Sequence, residues 1–298
     1  MDTCCGTEFA KYRVPLNVIT MKKIRLGIFV EDETLEWHKF MPLKSLVDEG
    51  MVEVCIAIQR SAEHQANPSH ISKVIPSINQ KLFSILSRAK KTTKRYSIHD
   101  LVSNGKMPVI TSIPRQNKST DEIEDSVIKR LQATDLDYLL SMDFQTLIGK
   151  ALGVTKHGIL LLHYGDERIQ RGEPALYWQF AEQWENSVVT LQLLSNDHDV
   201  HKVVGRGYGT LFYWDYNLTE DKLKGVAASV LYWYFRKNEI GVESGNFINL
   251  INDHTLYKTP PQLTAVRHLQ NFLKNYMIKR FYKSLYLNNW SIFIGSTD

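Results

Sequence analysis

Seven short apolar runs recur along this chain, and amphipathic stretches separate most of them. The runs are IRLGIFV (24–30), VEVCIAI (52–58), PVITSI (108–113), YLLSM (138–142), GILLLH (158–163), VVTLQLL (188–194) and KVVGRGYG (202–209). Each has strand length, and most are rich in Val and Ile, which favours extended backbone over a buried helical turn. Between the first two, TLEWHKFMPLKSLVDEG brings Leu35, Phe40, Leu43 and Val47 onto roughly one helical face and stops at a glycine. That is a β-α-β unit, and its repetition predicts a mostly parallel α/β sheet with helices on both faces and right-handed crossovers.

The segments between the runs refine this reading. STDEIEDSVIKRLQATDLD reads as a helix capped by Ser119 or Thr120, with Ile123, Val127, Ile128 and Leu131 turned inward. FQTLIGKAL reads as a short helix, and ALYWQFAEQW as another. From about residue 216 the character changes, with long helical patterns over LTEDKLKGVAASVLYWYFRKN and QLTAVRHLQNFLKNYMIKRFYKSLYL. The expected organisation is a tail over 1–20, an α/β domain over 21–215 and a helical C-terminal extension over 216–298. The second long helix is basic and amphipathic, a pattern that suits an anionic membrane surface but more often packs against its own domain or another chain.

With 298 residues and 43% hydrophobic content the chain can bury a substantial core. A net charge of +4 is small for this length, so nothing in the overall balance calls for a nucleic-acid partner. Cys4, Cys5 and Cys55 offer neither a disulfide framework nor the CxxC spacing of a metal site. No apolar stretch is long enough for a membrane span, and the start lacks a secretory core. The expectation is a soluble, cytoplasmic protein.

Chemistry concentrates around GILLLHYGDERIQRGEPALYW (158–178). In an open α/β sheet ligands collect at the carboxyl ends of the strands, and His163 closes the fifth run. An end-of-strand histidine taken alone serves structure more often than chemistry. Here Arg171-Gly172 and Pro174 follow in a loop able to wall a cleft, and Asp199 stands thirty-six positions downstream, after a neighbouring strand. A carboxylate bonded to the imidazole would fix its tautomer and stabilise its protonated form, as acid/base work requires. After the first strand, EDET occupies the place where a dinucleotide fold needs glycines, which argues against a nicotinamide enzyme.

These residues resemble the folate-dependent formyltransferases, which carry Asn-x-His, Arg-Gly, Thr-x-His and Asp-x-Gly in that order. The matching positions are Leu161-Leu162-His163, Arg171-Gly172, Thr190-Leu191-Gln192 and Asp199-Val200-His201, followed by Val203 and Val204. The resemblance spans about 22–205 and is best over 135–207. HYGDERIQRGEPALYW is similar to a formyltransferase-like subgroup with a His-His-Gly-Asp and an Arg-Gly. It implies a Rossmann-like formyltransferase fold and 10-formyltetrahydrofolate as cosubstrate. It further implies a primary amine as acceptor, of an amino sugar or nucleotide sugar. His163 and Asp199 would be catalytic; Leu140, Ser141, Met142, Asp143 and Phe144 would meet the cosubstrate; Asp166, Arg171, Gly172 and Gln192 would meet the substrate. Leu161 stands where the family has asparagine, and one lost oxyanion donor costs about 10²–10³ in turnover, roughly 3–4 kcal/mol. A catalytically silent binding module is therefore the alternative reading.

Overall fold

In the computed structural model the residues described are 23–61, 77–87, 94–103, 105–117, 120–142, 146–165, 176–194, 202–239 and 262–289. The elements in chain order begin with β1 (Ile24–Val30), β2 (Thr34–Glu36), α1 (Trp37–Asp48), β3 (Val52–Arg60), α2 (Ser77–Leu86), β4 (Arg95–Ser97) and β5 (Val109–Ser112). Next come β6 (Arg115–Asn117), β7 (Thr120–Glu122), α3 (Asp125–Gln132), β8 (Tyr138–Ser141), β9 (Thr146–Ile148) and β10 (Ile159–Tyr164). The series ends with α4 (Tyr177–Glu182), β11 (Asn186–Leu194), β12 (Lys202–Thr210), α5 (Tyr216–Glu239) and α6 (Gln262–Asn289).

All seven apolar runs become strands of one sheet, in the order β12-β11-β10-β8-β1-β3-β5. The five strands from β10 to β5 run parallel. β11 is antiparallel to β10 and to β12, so the sheet is mixed at one edge. Strand alternation divides its side chains between two apolar layers. Leu26, Ile28, Leu140, Leu160 and Leu191 meet Phe40 and Leu43 of α1 and Leu231 and Phe235 of α5. Phe29, Ile58, Leu139, Ile159 and Leu194 meet Val127, Ile128 and Leu131 of α3 on the other face.

The α5 helix is a layer of this body, since its Leu231 and Phe235 share a core with β1. The change of character near 216 is not a break in packing. GRGYG explains the close approach. A Cβ on Gly207 would lie 2.5 Å from Val226 Cγ1 and 2.7 Å from Val230 Cγ2, both on α5. Those glycines are spacers for a helix, and Arg206 and Tyr208 between them point to the opposite face.

Two expectations are corrected. Thr120 does not cap α3, which begins at Asp125 after Glu124, and Ser119 lies outside the described residues. Thr120–Glu122 is instead strand β7, paired with β6 and β9. Extended backbone there delivers Asp121 to a buried ion pair with Arg60, while Glu124 accepts from Ser112 Oγ (2.8 Å) and Ile113 N (2.9 Å). Likewise the described part of FQTLIGKAL is no α-helix: Thr146–Ile148 is β9, and Gly149, at φ +74°, turns the chain into a 3-10 turn over Gly149–Gly153, while Phe144 and Gln145 lie outside the described residues. A turn of five residues that opens on a left-handed glycine is too short to repay helix nucleation.

No helix among the described residues is long and apolar enough to cross a membrane.

Candidate active site

β10 carries His163 one position before its carboxyl end. Register fixes its neighbours: His163 faces Thr190 on β11, which faces Arg206 on β12. Two positions lower, Leu161 faces Gln192 on one side and Ser141 on the other. Directly paired residues point to the same side of a sheet, so Ser141, Leu161, His163, Thr190, Gln192 and Arg206 share one face. It is the α3 face, because Leu161 packs beside that layer and the α5 side is taken by the glycines of β12.

This face is polar where a sheet interior is ordinarily hydrocarbon. Ser141, Thr190 and Gln192 are buried, and His163 is half-buried. Gln192 Nε2 donates to Thr190 Oγ1 at 3.2 Å, which holds its carboxamide in place. Ser141 Oγ is buried without a hydrogen-bond partner. An orphaned hydroxyl in such a setting costs about 1–3 kcal/mol unless something polar meets it. An imidazole, an amide, two hydroxyls and a guanidinium on one sheet face at the carboxyl edge can polarise a carbonyl and move a proton.

Of the expected cosubstrate residues, Leu140 is fully buried in the α1/α5 layer. Ser141 opens toward the polar face. Met142 follows the strand, and its backbone is already engaged: its N–H donates to Phe29 O at 3.3 Å, and Lys39 Nζ donates to its carbonyl at 3.2 Å. Asp143, Phe144, Asp166, Arg171, Gly172 and Asp199 lie outside the described residues. The strand before Asp199 ends at Leu194, opposite Ile159, four positions from His163 along β10.

The acidic turn after β1 is closed on itself. Asp32 accepts from Thr34 N (2.7 Å) and pairs with Arg95 (3.0 Å). Burial opposes ionisation of Asp32, but the bonds from Thr34 and Arg95 outweigh it and hold the carboxyl below its usual range. EDET is thus a salt-bridged corner, as unlike a phosphate cradle as its sequence implied.

Two residues at this end of the sheet had no clear sequence signal. Arg206 was hidden among spacer glycines. His38 follows Trp37 at the start of α1 and is buried, its ring edge-on to Tyr164 at 6.4 Å and its Nδ1 without a hydrogen bond. Burial, with Lys39 adjacent, drives its pKa down to about 3, so the ring is neutral at physiological pH. Glu36, 3.5 Å away, is held by Lys224 at 2.9 Å.

No protein family matches the sequence, and no curated protein matches it. Solved structures do. Phosphoribosylglycinamide formyltransferase from Bacillus halodurans is 14% identical, covering 74% of this chain and 97% of its own, at a TM-score of 0.50. Glycinamide ribonucleotide transformylase 1 from Geobacillus kaustophilus is 13% identical over 73% of this chain and 99% of its own, at 0.49. WlaRD, a sugar 3N-formyl transferase, is 10% identical over 84% of this chain and 80% of its own, at 0.45. With 97% of the Bacillus halodurans enzyme covered at a TM-score of 0.50, this chain has the formyltransferase fold.

Proposed function

We propose that this protein transfers a formyl group from 10-formyltetrahydrofolate to a primary amine, of an amino sugar or nucleotide sugar. The observation that carries the reading is the row His163, Thr190, Gln192 and Ser141 on one face at the carboxyl edge of a formyltransferase-fold sheet. The cosubstrate supplies the activated formyl carbon; the amine nitrogen bonds to it and the bond to N10 breaks. His163 takes the proton from the attacking amine and returns it to the leaving nitrogen. Asp199 orients the imidazole. Gln192 replaces the donor that Leu161 cannot provide, because it stands directly opposite Leu161 and carries a carboxamide. Ser141 Oγ, buried and unpartnered, is a further group fitted to a polar ligand at the same place.

The test is direct. Purified protein with 10-formyltetrahydrofolate and a panel of amino sugars and nucleotide sugars should release tetrahydrofolate, and His163→Ala should lower the rate by about 10²-fold or more. Turnover that survives His163→Ala refutes the assignment.

A second reading is favoured by one observation: the Leu161 side chain packs against the α3-side core, as an apolar residue with no part in chemistry would. On that reading the protein binds the folate without reacting. Calorimetric binding of 10-formyltetrahydrofolate with no product from any acceptor selects it.

A further inference from the structure

The α6 helix has two faces of opposite use. His268, Phe272 and Asn275 are fully buried, and they lock the helix to the body. His268 Nε2 meets Glu182 Oε1 at 2.5 Å, Asn271 Nδ2 donates to Ala181 O at 2.8 Å, and Lys279 Nζ donates to Leu86 O at 3.2 Å. At 3.6 residues per turn, Val266, Leu273, Met277 and Phe281 fall on the other side of the helix. All four are exposed, Met277 by 65% and Phe281 by 64%. An exposed apolar stripe over four turns, interrupted only by Gln270, is not the ordinary scatter of surface hydrophobics.

Charge decides what such a stripe suits. α6 contains Arg267, Lys274, Lys279, Arg280 and Lys283 and not one Asp or Glu in its 28 residues. Arg267 and Lys274 border the stripe on one side and Arg280 on the other, all exposed. Arg267 is partly neutralised by Glu182 of α4, at 2.5 Å. α2, against which α6 packs, likewise has Lys81 and no acidic residue, and exposes Ile78 and Ile85. A second copy docking α6 on α6 would set cation against cation. An anionic bilayer satisfies both features, since the apolar side chains enter the headgroup boundary and the flanking Lys and Arg reach lipid phosphates.

We infer that the outer face of α6 docks the protein on an anionic membrane surface, independently of what the sheet catalyses. Each basic residue near such a surface adds about fivefold to partitioning, weakened by salt. The full chain should therefore co-sediment with phosphatidylcholine vesicles containing phosphatidylserine, poorly with phosphatidylcholine alone, and less as salt rises. Lys274→Glu with Arg280→Glu should lower partitioning by about 25-fold or more. Met277→Glu with Phe281→Glu should do the same while leaving the melting temperature near wild type, since both side chains face outward. No binding to the phosphatidylserine vesicles overturns the inference, as does binding that both double variants retain. A dimer in sedimentation velocity that Met277→Glu with Phe281→Glu dissolves also overturns it, by assigning the face to a second copy.

Discussion

The ion pair between Arg60 and Asp121 offers the sharpest energetic test. Arg60 ends β3 and is 1% exposed; Asp121 lies in β7 and is 0% exposed. Arg60 Nη2 lies 2.5 Å from Asp121 Oδ2 and Nη1 lies 3.5 Å from Oδ1, so the guanidinium approaches the carboxylate with two nitrogens. Two opposite charges withdrawn from water recover most of the desolvation cost only in each other's company. Asp121→Ala leaves the guanidinium buried beside a void and should cost about 3–5 kcal/mol, against about 1 kcal/mol or less for an exposed pair. In a chain of this size that lowers the melting temperature by of order 10 °C. Arg60→Met with Asp121→Leu removes both charges and keeps apolar volume, so it should recover most of that loss. Urea unfolding of wild type and the two variants compares the three stabilities; adding Arg60→Met and Asp121→Leu singly completes a double-mutant cycle that measures the coupling. An Asp121→Ala cost below about 1 kcal/mol, or a double variant as unstable as the single, refutes the argument that burial makes this pair interdependent.

Gly207→Ala should destabilise by about 1–3 kcal/mol because its Cβ would strike two valines of α5, whereas Gly225→Ala, which meets only Trp37 at 4.0 Å, should stabilise by up to about 1 kcal/mol; thermal melts compare them. The His38 pKa is depressed to about 3, so the unfolded chain binds a proton that the folded chain refuses between about pH 6.5 and 3. Stability from this group is therefore full above pH 6.5 and lost on acidification, at about 1 kcal/mol per pH unit; His38→Gln should flatten that part of the pH–stability curve. Gln192→Leu should lower kcat by about 10²–10³-fold with little change in KM if its amide meets the developing oxyanion, and a loss confined to KM would contradict that role.

Much of the architecture was legible in the sequence because it is local. A run such as IRLGIFV becomes β1 over the same seven residues, and GILLLH becomes β10 with Gly158 dropped and Tyr164 added. Side-chain branching and apolar spacing act within a few residues, so a linear reading captures them. One local reading failed where a distant partner overruled propensity: Asp121, sixty-one residues from Arg60, lies in a strand over TDE that its neighbours read as a helix start.

The site divides in the same way. Sequence alone placed His163 near a strand's carboxyl end and marked Gln192 and Ser141 as candidates. Only register decided that these three share a face, that Gln192 stands opposite Leu161, and that Arg206 joins them across β11. Likewise KVVGRGYG reads as a strand from its sequence, but only packing showed that its glycines form the groove for α5. Pairing between strands sets which residues meet, and it depends on the ordering of the whole sheet, which no short window of sequence contains.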